Sequence, residues 1–218
     1  MKCPWFLAIL TVWVGLTANP ATAQSPEAQR KTSTPYTGDL TIFDSPGRED
    51  RLQINRVMDI LKIAPGSVVA DIGAGSGWFT VRAARRVGEH GEVYAVDINP
   101  EAIKYIQKRA VNEGLSNVQT ILGKSDDALL PAGKINAVLL LKTYHEVAEP
   151  VALLQHLRES LAPRARVGVI DRNGNGEDHG VAERVVVEEA RRAGYEMVSR
   201  YDFVKADGMD YFLVFEVK

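Results

Sequence analysis

The sequence is almost without cysteine: 218 residues contain one, at position 3. Disulfides, thiolate nucleophiles and cysteine-based zinc sites are therefore excluded everywhere beyond that point. An excess of charge of one sign is missing too, since 26 basic residues meet 28 acidic ones for a net charge of −2. That balance gives no support to polyanion binding, and no basic stripe with interleaved aromatics marks a nucleic-acid surface. The longest apolar run, from Trp5 to Leu16, falls well short of the roughly 20 residues that cross a bilayer. No internal repeat, low-complexity tract or lysine-ended glycine loop occurs, which disfavours an ATP-type phosphate loop.

Lys2, the apolar run and Ala21-Thr22-Ala23 before Gln24 together read as a secretory signal over residues 1–23. The expectation is a periplasmic or secreted protein, or one anchored to the membrane by an uncleaved signal. Cys3 precedes the apolar run and is badly placed for lipid attachment. Without that segment 195 residues remain, cysteine-free, with 25 basic and 28 acidic side chains and Trp78 as sole tryptophan. Residues 24–41 are polar, with Pro26, Pro35 and Gly38 and no periodicity, and read as a linker or loosely packed arm. Residues 42–218 have the length of one domain.

In that domain two hydrophobic periods alternate. Ile54, Val57, Met58 and Leu61 fall at i, i+3, i+4 and i+7 and predict a helix over 48–62, ended by Pro65-Gly66. Short apolar runs at 68–72, 93–96, 118–122, 135–141 and 167–170 read as strands. Helices are expected between them. The first covers 78–87, and the second is opened by Pro100 with Ile103, Ile106 and Ala110 on one face. The third follows Pro150 with Leu154, Leu157 and Leu161, and the last covers 181–193 and is stopped by Gly194. Two closing strands, 196–204 and 211–217, lack a helix between them and imply an antiparallel hairpin at one edge. Apolar strands alternating with helices mean an α/β, doubly wound, mostly parallel sheet covered on both faces.

Ligands of such sheets bind at the carboxyl ends of the strands. The first strand runs into Asp71-Ile72-Gly73-Ala74-Gly75-Ser76-Gly77-Trp78, and the second ends at Asp97-Ile98. Glycines permit a tight turn and close backbone approach, and a carboxylate at position 97 can accept hydrogen bonds from ribose hydroxyls. The pair is a nucleoside-recognition constellation. A dinucleotide fingerprint would need glycine at position 78, where Trp78 stands, so an NAD(P)-dependent oxidoreductase is the disfavoured alternative.

Val68–Phe79 (VVADIGAGSGWF) resembles the first motif of class I S-adenosylmethionine-dependent methyltransferases. Val93–Pro100 (VYAVDINP) is similar to their second motif, and Gly123–Pro131 (GKSDDALLP) to their third. The resemblance runs from about Phe43 to the C-terminus. It implies S-adenosyl-L-methionine as cofactor, held by Asp71, Gly73, Ala74, Gly75, Gly77, Asp97 and Ile98. Asp97 would take the ribose, and Asp126, or its neighbour Asp127, the adenine amine. It also implies a Rossmann-like seven-stranded sheet, order 3-2-1-4-5-7-6, with strand 7 antiparallel. The export signal and Thr143-Tyr144-His145-Glu146 look like a group of predicted exported bacterial methyltransferases. The chain departs from the family at Asn136, where an acid is common, and at Pro163-Arg164-Ala165, where Pro-Gly-Gly is common.

Methyl transfer needs an acceptor aligned about 3 Å from the reacting carbon, and a base only where the acceptor loses a proton. The fourth strand ends at 142–146, where His145 is the candidate base. Tyr144 would shape the pocket or stack on the acceptor, and Glu146 would orient the imidazole. A strand-capping role for His145 is the plain alternative. The fifth strand leads through Asp171-Arg172 into a polar loop, 173–180, long enough for a lid. Asp171, Asn173, Asn175 and Gly176 mimic the start of a calcium loop, but Ala182 stands where a glutamate is required. His145 and His179 are placed to line the acceptor pocket, and two histidines without a third ligand make no metal site. Arg48–Arg51 opens the first helix and reads as a solvated charged face, with closure of the active site as the alternative. The resulting expectation is methyl transfer to oxygen or nitrogen of a small-molecule acceptor, with no nucleic acid and no membrane span in the mature chain. A binding module that keeps the nucleoside site without turnover is the third reading.

Overall fold

Both faces of the central strands are apolar, so these strands are stable only with helices packed on each side. The computed structural model describes Met1, residues 30–205 and residues 207–218, and has this layering. The signal read from residues 1–23 lies outside the described residues. Among those described, no helix is long and apolar enough to cross a membrane.

The elements follow as α1 (Arg48–Leu52), α2 (Ile54–Ile60), β1 (Val68–Ile72), α3 (Trp78–Val87), β2 (Glu92–Asp97), α4 (Pro100–Asn112) and β3 (Val118–Leu122). The second half gives β4 (Ile135–Leu141), α5 (Pro150–Ser160), β5 (Leu161–Arg172), α6 (Glu183–Arg192), β6 (Tyr195–Tyr201) and β7 (Asp210–Val217). The seven strands form one sheet in the order β3-β2-β1-β4-β5-β7-β6. β7 runs antiparallel to both neighbours and the other pairings are parallel. This is the expected sheet. The chain winds outward from β1 to β3, then returns to place β4 on the other side of β1. That reversal leaves a crevice at the carboxyl ends of β1 and β4.

Val69, Ala137, Leu139 and Val214 face one layer, where Val57, Met58, Leu61, Phe79 and Val87 meet them. Ala70, Val138, Leu140 and Val169 face the other, against Leu153, Leu154, Leu157, Val186 and Ala190. Asn136, the departure before β4, accepts the Val68 N–H at 2.8 Å through Oδ1 and so pins the start of β1.

Three expectations change. The single helix over 48–62 is broken at Gln53, whose φ is 48°. Arg48 and Arg51 are tied back to the Phe43 and Pro46 carbonyls, and the break turns Ile54, Val57 and Met58 onto the sheet. Leu161 belongs to β5, where it pairs with Ile135; its side chain still packs on the same apolar cluster as Leu154 and Leu157. Residues 30–41 do not behave as a loose arm, since Ser33 and Leu40 are buried and the segment lies along the crevice.

Leu139 is fully buried at the centre of the sheet. Leu139→Ala is expected to cost about 3 kcal/mol of stability in urea unfolding, and a loss below about 1 kcal/mol would contradict the packing described.

Candidate active site

The chain must turn sharply from β1 into α3, and it does so through Gly73, Gly75 and Gly77, all at positive φ. The Gly73 and Ala74 N–H groups donate to the Val96 carbonyl at 2.8 and 3.0 Å, lashing the loop to β2. A β-carbon on Gly73 would lie 2.2 Å from Thr143 Oγ1, so this close approach requires glycine. The Gly75 N–H donates to Asp97 Oδ2 at 2.8 Å and the Asn99 N–H to Oδ1 at 2.9 Å. A carboxylate has about four acceptor positions, so Asp97 both braces the loop and keeps capacity for a ligand hydroxyl. Burial raises its pKa, against the pull of those backbone N–H groups.

Asp71 is buried at the end of β1 and accepts the Thr80 hydroxyl at 2.6 Å. Burial first, and the charge of Asp97 second, push its pKa up to about 7, while the Thr80 hydrogen bond and Arg48 act in the opposite sense. Arg48 does not sit on a solvated face. It lines the crevice, stacks on the Trp78 ring at 4.5 Å beside Arg82 at 3.9 Å, and burial lowers its pKa to about 10. A second network holds the loop from behind. Arg109 Nη1 donates to Asp44 Oδ1 (2.8 Å) and to the Ser76 carbonyl (3.0 Å), and Ser76 Oγ donates to Asp44 (3.0 Å).

These groups open on a cleft of about 950 Å³. Ile98, 49% exposed, gives it an apolar wall beyond Asp97, with Lys124, Ser125 and Ala128 alongside. Asp126 and Asp127 do not line the cleft. Asp127 Oδ1 accepts the Leu129 N–H at 2.8 Å, and the Asp126 carbonyl lies 2.7 Å from His156 Nδ1. The outer wall comes from a segment that sequence reasoning left outside the site, including Thr32, Tyr36, Leu40 and Phe43. Leu40 is buried there and Phe43 half-buried.

The other end of the cleft is built by the turn after β4. His145 is 4% exposed, and its Nδ1 lies 2.9 and 3.0 Å from the two oxygens of Asp171, which is fully buried. The Asp171 carboxylate also accepts the N–H groups of His145 (3.0 Å) and Arg172 (2.8 Å). A carboxylate so surrounded only accepts, so Nδ1 carries the proton and the Nε2 lone pair is free for the cleft. The orienting group is therefore Asp171 and not Glu146, whose carboxylate lies 3.8 Å from Nε2 on the cleft side. Burial, then Asp97 and Asp171, raise Glu146 to about 7 against the opposing pull of His145. Tyr144 does not line the cleft. Its ring is buried on the far side among Leu154, Val167 and Val186, under the Arg30 guanidinium at 5.2 Å, because the turn sends successive side chains to opposite sides.

His179 reaches the same place from the loop after β5, its ring perpendicular to that of His145 at 5.8 Å. One donor atom from each of His145, Glu146 and His179 lies within 4.8 Å of the others. The calcium-like residues do not converge: Asn173 Oδ1 accepts the Glu183 N–H (3.0 Å) and Asn175 Oδ1 the Glu177 N–H (2.8 Å). Ser33 ties both loops together. Its N–H donates to the His145 carbonyl (3.1 Å), its hydroxyl donates to the Gly176 carbonyl (3.0 Å), and the His179 N–H donates to that hydroxyl (3.0 Å).

Asp71 holds its proton more tightly folded than unfolded, so between about pH 4 and 7 the native state binds more protons and loses stability as pH rises. Asp71→Asn is expected to gain stability over the parent protein across that window and to keep a constant advantage of a few kcal/mol, about 2–4, above it. Urea unfolding at pH 5, 6, 7 and 8 measures the difference, and an advantage independent of pH would contradict it.

A methyltransferase domain model matches residues 63–197, more than half of the chain. Nocamycin O-methyltransferase of Saccharothrix syringae is 30% identical over 59% of this chain and 46% of its own length. A ubiquinone/menaquinone biosynthesis C-methyltransferase of Hydrogenovibrio crunogenus is 27% identical over 56% of this chain and 48% of its own. The chain thus spans about half the length of these curated relatives. An S-adenosylmethionine-dependent methyltransferase of Aquifex aeolicus superposes with a TM-score of 0.75 at 22% identity, over 84% of this chain and 100% of that one. The chain belongs to the methyltransferase domain family and has the fold of the class I S-adenosylmethionine-dependent methyltransferases.

Proposed function

We propose that this chain transfers a methyl group from S-adenosylmethionine to a hydroxyl or amine of a small-molecule acceptor held at the His145 end of the cleft. One observation carries the reading: a single cleft joins the loop of Gly73–Gly77 and Asp97 to the buried His145–Asp171 pair. The cradle fits the cofactor. Asp97 keeps acceptor capacity for ribose hydroxyls and Ile98 offers an apolar wall to a base. Asp71 and Arg48 bring one acid and one base to the end suited to an amino-acid group. When bound, S-adenosylmethionine supplies an electrophilic sulfonium methyl and departs as S-adenosylhomocysteine. His145 Nε2 receives the acceptor's proton, while Asp171 fixes the tautomer and stabilises the imidazolium. Thr32, Tyr36 and Phe43 wall the cleft and limit the acceptor to what fits beside the cofactor. Two relatives, nocamycin O-methyltransferase and aklanonic acid methyltransferase, are named for small-molecule acceptors, which supports that size class. The export read from residues 1–23 would bring this chemistry to the periplasm or the cell exterior.

Three outcomes are expected. S-adenosylhomocysteine changes the Trp78 fluorescence of the protein, NADH does not, and Trp78→Phe removes the response; a response to NADH instead would restore the oxidoreductase alternative. Asp97→Ala weakens that binding by at least tenfold. With radiolabelled methyl donor and a panel of phenols, acids and amines, His145→Ala lowers kcat about 10²-fold without changing S-adenosylhomocysteine affinity. Binding without turnover on any acceptor would favour the silent binding module.

A further inference from the structure

Three side chains at the acceptor end point their donor atoms at one another. His145 comes from the turn after β4, Glu146 follows it, and His179 comes from the loop after β5, more than thirty residues later. Their ligand atoms fall within 4.8 Å of each other, near enough that small side-chain rotations bring all three onto one ion. The three come from two separate loops, His145 buried, Glu146 half-buried and His179 exposed at the cleft.

The supporting shell matches what a metal-binding histidine needs. His145 gives its Nδ1 hydrogen to Asp171, a carboxylate with no exposed surface, and this fixes Nε2 as the coordinating atom. His179 stands at φ 55°, a left-handed conformation uncommon outside glycine. It is held there by the hydrogen bond from its N–H to Ser33 Oγ, while the Ser33 N–H holds the His145 carbonyl. Two carboxylates flank the imidazole of His145, Glu146 at 3.8 Å from Nε2 and Asp171 at 2.9 Å from Nδ1. Lys142, the cation nearest along the chain, is paired with Asp210 instead.

We propose that His145, Glu146 and His179 bind a divalent transition cation at the acceptor end of the cleft. Two imidazole nitrogens and one carboxylate suit zinc, iron(II), cobalt(II) or manganese(II); calcium and magnesium require mostly oxygen ligands. Three protein ligands leave coordination positions open toward the cleft, the arrangement of a catalytic rather than a structural site. A hydroxyl bound to such a cation would be acidified and would release its proton to water in the open cleft, and His145 would then serve as ligand rather than proton acceptor. This consequence for turnover rests on the methyl-transfer reading; the binding of a cation does not.

The test uses the whole chain, stripped with EDTA and titrated with cobalt(II) as probe. One cobalt(II) per chain is expected, with visible absorption characteristic of imidazole and carboxylate ligation. His179→Ala and Glu146→Gln are each expected to weaken it at least tenfold, Asp171→Asn by about 10–100-fold, and His90→Ala, in the distant turn before β2, not at all. Binding of S-adenosylhomocysteine to each variant, read by Trp78 fluorescence, reports an intact fold. Protein that binds S-adenosylhomocysteine but takes up neither cobalt(II) nor zinc(II) overturns the metal site and leaves the methyltransferase reading standing. Cobalt(II) binding that His179→Ala and Glu146→Gln leave unchanged also overturns it. Cobalt(II) binding lost in those variants, in a protein indifferent to S-adenosylhomocysteine, supports the site and removes the methyltransferase reading.

Discussion

Gly73 and Thr143 touch so closely that a single added methyl group would lie 2.2 Å from the threonine hydroxyl. The rest of the site depends on that approach. Gly73 begins the loop after β1 and Thr143 begins the turn after β4, and these are the strands between which the chain reverses its winding. A sheet that reverses there always leaves a crevice, but the crevice becomes one chamber only if the two loops meet. Because they meet at glycine, the loop bearing Asp97's partners and the turn bearing His145 share a floor. A bulkier residue at position 73 would separate the two ends of the cleft and leave two half-sites.

What closes the chamber comes from far away in sequence. Arg30 donates to the carbonyls of Tyr144 and Val147 at 2.9 and 2.7 Å, Ser33 binds both histidine loops, and Asp44 joins Arg109 to the glycine loop. The segment from 30 to 44 thus fastens at the acceptor end, crosses the opening and fastens again at the cofactor end. Its middle supplies Tyr36, Leu40 and Phe43 to the wall. These residues have little periodicity because they follow the outline of a cleft rather than a helix or a sheet.

That difference explains what could be read from the sequence. The sheet order, the glycine loop and Asp97 were legible because each is a local pattern: apolar runs of fixed period, glycines at fixed spacing, an acid at a strand end. Leu161 was assigned to the wrong element because it packs on the same cluster from β5 as it would from α5, so period alone could not separate the two. Tyr144 was given a place in the pocket for the same reason; residue type and neighbourhood do not fix which side of a three-residue turn a ring takes. Asp126 and Asp127 were assigned by resemblance; in the structure neither lines the cleft, and the Asp127 carboxylate accepts the Leu129 N–H. The role of Asp171 and the meeting of Glu146 with two histidines needed contacts across 25 or more residues, for which the chain carries no local mark.

The electrostatics of the cleft and the stability of the fold are one problem. Burial works against the charge of Asp71 and Glu146 and pushes both up to about 7, so at neutral pH the ligand-free protein carries a cost, about 2–4 kcal/mol for the fully buried Asp71 and less for the solvent-screened Glu146. Domains of this size are stable by only about 5–15 kcal/mol, so the cost is a sizeable fraction of the whole. It is offset by a core whose central strands are completely buried on both faces. Positive charge entering the cleft removes the cost where it arises, and any ligand that binds only the folded state adds about 2.7 kcal/mol at a hundredfold excess over its Kd. The acids that weaken the empty fold are therefore groups whose cost a ligand's positive charge relieves, so stability and binding are coupled at Asp71 and Glu146.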